Sequence, residues 1–309
     1  LPISWEYKDY MPGKNEYVRV DTRNTTPLEV KRAFQFLHSE DKRTKFDGDN
    51  YIPSNQLYIK SPDGEKVMFK KASHFTRSEL MVMEMLSTNQ WKRPMYFAVT
   101  IGNDYHLGLD PYLELTGMAY RITPERSEDG RPRVNTAEMY ENMMHQFRFG
   151  NVNQPGIYLD ENTLRMCRTH RMMFAQLAEA LYMEGWQTED TLVRKEKHAK
   201  ALQVLDYADE MLPACNVSYD HTSVSMAALY YELDQPEKAN TIMQAMADNA
   251  IEYIQWGASL DSQRRSSAQS TINNYIAIFD YVMRNFMRFE QKELFNQYFD
   301  VYKSLGLNE

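Results

Sequence analysis

Apolar positions recur along this chain with two different periods, and the change of period comes near its middle. Val30, Phe34 and Leu37 lie at helical spacing behind Thr26-Pro27, a capping hydroxyl followed by a proline suited to the first helical turn; they predict a helix over 26–39. Before it, residues 1–19 mix Tyr, Pro, Gly and charges without a sustained period, which predicts irregular or edge-strand structure. Two turn clusters follow, Asp47-Gly48-Asp49-Asn50 and Pro62-Asp63-Gly64, and the second separates strand-like runs at 56–60 and 66–69. Thr76 and Glu79 form a capping box ahead of Leu80, Met83 and Leu86, so a helix is expected to end near Asn89. The unbroken apolar and aromatic run 95–101, bounded by Pro94 and Gly102, predicts a strand buried on both faces. A short helix over 110–115 and a strand over 118–122 complete an alternation of strands and helices, which marks residues 1–124 as a small α/β unit.

Residues 125–133, charged and holding Gly130 and Pro132, read as the mobile connection of the chain. With a helix over 136–147 capped by Asn135, they make a connecting segment over 125–159, and sheet is expected only before Pro124. From the capping Asp160 onward the period is helical. Leu177, Ala178 and Leu181 precede Gly185, a small-residue face on which two helices can approach closely. Ala201, Leu205, Ala208 and Pro213 then follow at offsets of four, seven and twelve, the small, large, small and proline positions of a tetratricopeptide second helix. Ala227, Tyr230, Ala239, Met243 and Met246 repeat the pattern around Pro236, at a period close to the ~34 residues of an ideal repeat. A third, more aromatic pair over 267–288 and 290–305 reads as a terminal cap. The stretch 185–201 is longer than the consensus turn, so either its helices lengthen or a loop is inserted. The fold class is therefore α+β, a small α/β N-terminal unit followed by an all-α tetratricopeptide-like helical hairpin array over 160–309.

Composition narrows the partners more than the fold. A net charge of −8 argues against nucleic acid or an anionic membrane as the main partner, and the basic run 195–200 reads as a solvated helix face. The best apolar run, 80–86, is interrupted by Glu84 and falls far short of the ~18–20 residues of a membrane span. The chain begins at Leu1 with no signal-peptide pattern, as a processed chain or an excised fragment would. Cys167 and Cys215 form no Cys-x-x-Cys pair. The rise per residue of the hairpin predicts that Cys215 returns to the level of Cys167, leaving open a bridge or two free thiols.

No cofactor or metal is expected, since none of the seven histidines pairs with another at helical ligand spacing. Phosphate loops, nucleophile elbows and calcium loops are also missing from the sequence, and no catalytic residue is assigned. The densest polar and aromatic constellation is Trp91, Arg93, Tyr96, Asn103, Asp104, Tyr105, His106, Tyr112, Tyr120 and Arg121. One reading is a cleft where aromatic faces stack on sugar or peptide while Arg and Asn hydrogen-bond it. The other is an aromatic core with Arg and His at its rim. Met139, Met143 and Met172 read as core filler.

The run Asn89-Gln90-Trp91-Lys92-Arg93-Pro94-Met95-Tyr96-Phe97, with Gly108-Leu109, Tyr112 and Gly117-Met118-Ala119-Tyr120-Arg121-Ile122-Thr123-Pro124, resembles the C-terminal region of large polytopic membrane proteins of unknown function, similar to protein O-mannosyltransferases. Tyr158-Leu159-Asp160-Glu161-Asn162-Thr163 and the helical repeats also fit that region, with Met95 in place of the usual Ile and Thr116 in place of the usual acid. The resemblance implies a longer parent whose membrane domain, absent from this sequence, would hold the donor and the catalytic carboxylate, and an extracytoplasmic (periplasmic) location. The resulting expectation is a non-catalytic interaction module that binds a protein or glycan acceptor through its helical repeats. A carbohydrate-binding domain built on the aromatic constellation is the alternative.

Overall fold

The computed structural model describes residues 17–304, which fall into two units divided between Met139 and Tyr140. In the first unit, strand β1 (Tyr17–Arg19) pairs antiparallel with His74–Thr76, and the part of the expected irregular stretch before Tyr17 lies outside the described residues. Strand β2 (Leu28–Glu29) comes next, and helix α1 (Val30–Leu37) starts only after it, not at Thr26-Pro27 as the local signal suggests. The reason is tertiary. Leu28 and Glu29 pair in parallel with Leu57 and Tyr58, and those sheet hydrogen bonds override the capping preference of the two residues before them. Val30, Ala33, Phe34 and Leu37 form the buried face of α1.

Both turn clusters bend the chain as expected. Asp47 and Gly48, at φ of 56° and 87°, close the ribbon of β3 (Lys45–Phe46) and β4 (Asp49–Asn50). The second cluster joins β5 (Leu57–Lys60) to β6 (Lys66–Met68). After β7 (His74–Thr76) comes α2 (Arg77–Asn89), opened by the reciprocal capping box of Thr76 and Glu79. Leu80, Met83 and Leu86 of α2 join the α1 face, Leu57, Val67 and Phe75 in one core.

The rest of the unit is a four-stranded sheet of order β11-β9-β10-β8, made of β8 (Tyr96–Ala98), β9 (Leu113–Leu115), β10 (Ala119–Ile122) and β11 (Arg133–Val134). It corrects three expectations. The apolar run 95–101 supplies only a three-residue strand, with Phe97 buried and Tyr96 and Ala98 exposed, because β8 is an edge strand with one open face. The helix expected over 110–115 is a single tight turn, Asp110–Tyr112, which runs straight into β9. Sheet also extends beyond Pro124: Arg133 and Val134 run parallel to Glu114 and Leu115. Ser127 is buried with its N–H on the Pro111 carbonyl at 2.7 Å, so the stretch expected to be mobile is pinned to this unit. Helix α3 (Thr136–Glu141) follows, capped by Asn135 as its sequence suggests, and continues as one wider turn, Asn142–Gln146.

From Asp160 onward the described residues contain no strand. Asp160 caps α4 (Glu161–Gln187), and α5 (Thr191–Met211) returns after a three-residue turn. The extra residues between 185 and 201 therefore lengthen both helices instead of forming a loop. A Cβ at Gly185 would lie 2.5 Å from Cδ2 of His198, which shows how closely α4 and α5 approach there. At the other end of this hairpin the Arg171 guanidinium donates to the carbonyls of Leu212 (2.8 Å), Val217 (2.6 Å) and Ser218 (2.8 Å). The loop that holds Cys215 is thus tied to Arg171, one turn along α4 from Cys167, and both thiols are free, Cys167 buried and Cys215 exposed.

Helices α6 (His221–Glu232) and α7 (Pro236–Ser259) form the next hairpin, and α8 (Ser262–Arg288) and α9 (Lys292–Ser304) the last. Helix α8 begins five residues before the sequence pattern suggests, because Asp261 caps it through the Arg264 N–H. α4 packs on α6, and α6 on α8, so the first helices of the three hairpins form one layer. Among the described residues no helix is long and apolar enough to cross a membrane.

Candidate functional sites

Strand alternation divides the aromatic constellation of the first unit, because residues directly opposite across a ladder share a face of the sheet. Tyr96 opposes Arg121, and Glu114 opposes both Arg121 and Arg133, so these four lie on one face. Arg121 is paired twice there, with Glu114 and, at 2.9 Å, with Glu138 of α3. The Glu114 hydrogen bond holds its guanidinium above the usual pKa. Tyr96 remains 47% exposed, but Arg121 has its carboxylates already in place, so this face is a closed charge network rather than a waiting anion site.

The opposite face carries Phe97 and Tyr120. The buried His106 ring stacks on Phe97 with centroids 5.3 Å apart and meets Tyr120 edge-on at 5.6 Å. Its Nδ1 lies 2.9 Å from Asp110 Oδ1. Burial first, and the Asp110 charge second, push the Tyr120 hydroxyl pKa up. Tyr112 is buried in the same core. Asn103, Asp104 and Tyr105 stand exposed on the turn just before His106.

Trp91 and Arg93 belong to neither face. Gln90 and Trp91 take left-handed backbone conformations at φ of 48° and 61° as α2 ends, and the Trp91 indole N–H donates to the Lys60 carbonyl at 2.7 Å. Trp91 is half-buried and lines a cavity of about 240 Å³ with Glu29, Lys31, Lys60 and Pro62. None of the other nine residues of the constellation lines that cavity. Arg93 has an exposed side chain, and its backbone is held by the Asn89 amide. Ten residues close in sequence are thus distributed over a cavity wall, an exposed sheet face, a turn and a core.

A concavity between helices lies in the helical unit, and sequence reasoning does not find it. Arg165, Arg168, Thr169 and Met172 of α4 line a cavity of about 430 Å³ with the start of α6, with Met246 and Asn249 of α7 and with Tyr275 of α8. Further along α4, Ala175, Glu179, Tyr182 and Met183 line a second cavity of about 240 Å³ with Met226, Leu229 and Tyr281. The spacing of three and four residues from 165 to 183 marks a single face of α4. The two cavities therefore follow one another along that face of α4, and together they are treated as a groove between α4, α6 and α8. Met139 and Met143 are core filler as expected, whereas Met172 is half-exposed on this groove. The available signal was a helix face mixing Arg, Thr, Met and Glu, too polar for a core and too apolar for a free surface.

Fold and sites define a two-unit α+β chain, a β-rich unit joined to stacked helical hairpins with a groove along their first helices. A family described as TMEM260-associated domain 2 has a sequence model that matches residues 1–141, a stretch ending within two residues of the boundary between the units. No curated protein and no solved structure matches the chain.

Proposed function

We propose that this chain is a non-catalytic interaction module of a membrane glycosyltransferase-like protein, working on the extracytoplasmic face and docking a protein or acceptor partner along its helical groove. The observation that carries the reading is the groove itself. Its walls come chiefly from α4, α6 and α8, the first helices of three consecutive hairpins, with Met246 and Asn249 of α7 closing the first cavity, and stacked hairpins of this kind form extended concave binding surfaces. The match of residues 1–141 to TMEM260-associated domain 2 supports the link to a larger membrane protein. The test is a photo-crosslinking amino acid placed at Ala228, inside the groove, or at Gln269, on α8 outside the residues that line it, in cells that make the full-length parent. A discrete crosslinked partner is expected from position 228 and not from 269. Equal crosslinking from both positions, or none from either, rejects the reading.

A carbohydrate-binding role for the first unit has one observation in its favour, the Trp91 side chain on its cavity wall in a backbone conformation uncommon for a bulky residue. That reading requires Trp91 fluorescence to respond to oligosaccharides and the response to vanish in Trp91→Phe.

A further inference from the structure

From the charges on the groove wall we infer the chemistry of the partner: a segment of extended polypeptide carrying a carboxylate at one end, seated on Arg165 and Arg168, with aliphatic side chains following it along the groove. This rests on the docking role proposed above. The chain as a whole carries a net charge of −8, and most arginines of the helical unit are committed within it. Arg284 pairs with Asp280, Arg288 with Glu232 and Arg264 with Asp261, while Arg171, Arg194 and Arg265 are spent on backbone carbonyls.

The two groove arginines differ. Arg165 has one neutral partner, the Asn162 side-chain oxygen at 3.0 Å, and Arg168 has no hydrogen bond or ion pair among the described residues. Asp220 is the one carboxylate among the residues lining the larger cavity, and its side chain is occupied in capping α6 through the Thr222 N–H at 3.0 Å. His221, exposed on the same wall, offers an imidazole N–H donor. An acidic chain that gathers uncompensated guanidinium groups in a concavity has electrostatic complementarity for an anion, and paired N–H donors suit a carboxylate.

Length and lining select a peptide over a small anion. From Arg165 to Met183 the face of α4 extends about 27 Å at ~1.5 Å per residue, the span of roughly eight residues in extended conformation. Beyond the arginines the walls carry Met172, Met183, Met226 and Leu229, which a phosphate or an acidic sugar would leave unused, while Glu232 is paired with Arg288 and Glu179 keeps a second carboxylate of the partner away from that end. The Asn274 amide, exposed on the α8 wall, has both a donor and an acceptor to offer a peptide backbone.

The test is selection of a displayed library of short random peptides on the full chain, in parallel with Arg168→Glu and Ala228→Trp. Expected is enrichment of sequences with Asp or Glu followed by aliphatic residues on the native chain. A labelled enriched peptide should bind Arg168→Glu about tenfold or more weakly, lose affinity with salt, and bind a Lys200→Glu control unchanged. Ala228→Trp, which fills the groove, should abolish binding, and circular dichroism should show all variants folded. Enriched peptides without acidic preference, or equal binding by Arg168→Glu, overturn the carboxylate assignment while leaving the groove as a docking site. Displacement of the peptide by inorganic phosphate at a similar concentration also overturns it, in favour of a simple anion site. Full binding by Ala228→Trp, or no enrichment at all, rejects the docking reading together with this inference.

Discussion

Arg171 shows what a single residue can do here that no spacing announces. It is 1% exposed and satisfies three carbonyls from the α5–α6 loop, while its guanidinium lies 5.5 Å from the centre of the Tyr219 ring. Burial lowers its pKa, opposed by the nearby Asp220 charge. Replacing it with Met keeps the bulk but strands the buried carbonyls of Leu212 and Val217, at about 1–3 kcal/mol each where no relaxation occurs. Arg171→Met is therefore expected to lose about 3–5 kcal/mol in urea unfolding, the range for breaking a buried charged network. Lys, a point donor that lacks the planar fork, should recover only part of the loss. In sequence Arg171 looks like any polar residue of a long helix, because its partners are backbone atoms some forty residues away. The aromatic constellation errs in the opposite direction: its members are neighbours in sequence, and the two-residue alternation of the strands then sends Tyr96 and Phe97 to opposite faces.

Elements were legible where local chemistry and tertiary contacts agree. The Thr76-Glu79 capping box, the Asp160 cap and the turn at Pro62-Asp63-Gly64 are all formed, since each is satisfied by atoms within a few residues. The start of α1 differs from its local signal because Leu28 and Glu29 pair with Leu57 and Tyr58 of β5, the Leu28 N–H donating to the Gln56 carbonyl, which no local signal reveals. Gly185 falls between these cases. Its small size suggested a close helix approach, and the structure identifies the neighbour as the His198 ring, stacked on Tyr182 with centroids 4.8 Å apart. Gly257 plays the same part between α7 and α8, where a Cβ would lie 2.6 Å from Ile272 side-chain atoms. Ala is favoured over Gly in a helix by about 1 kcal/mol, but overpacking costs about 1–3 kcal/mol. The packing term should win at both sites, so thermal unfolding of Gly185→Ala and Gly257→Ala is expected at lower temperature than the native chain. Stabilisation by either substitution would show that the helices separate without cost.

At the scale of the whole molecule, the division into two units gives each its own titration behaviour. In the helical unit, tyrosine hydroxyls tie helices and the α5–α6 loop together: Tyr230 donates to Asp206 at 3.0 Å, Tyr219 of the loop to Asp209 of α5 at 2.8 Å and Tyr298 to Asp248 at 2.7 Å. Burial is the main cause that raises the pKa of all three, and the carboxylate each one faces adds to it. Tyr231, half-buried in α6 and stacked on Phe289, is pushed up to about 12 by desolvation. A raised folded pKa favours the neutral phenol in the native state. The corresponding stability is fully present below pH ~10, where tyrosine in the unfolded chain is still protonated, and is lost as pH rises towards the folded values. Helical circular dichroism, which reports chiefly on the second unit, should therefore show a urea midpoint that falls steeply above pH ~10. Tyr230→Phe removes one of these phenols and one hydrogen bond, worth about 1 kcal/mol at neutral pH. Because it also removes an ionisation that opposes folding, its stability should decline less steeply with pH than that of the native chain, and the two curves should converge at high pH. Parallel curves would mean that the Tyr230 phenol ionises as readily in the folded unit as in the unfolded chain, and that its bond to Asp206 does not hold α6 to α5.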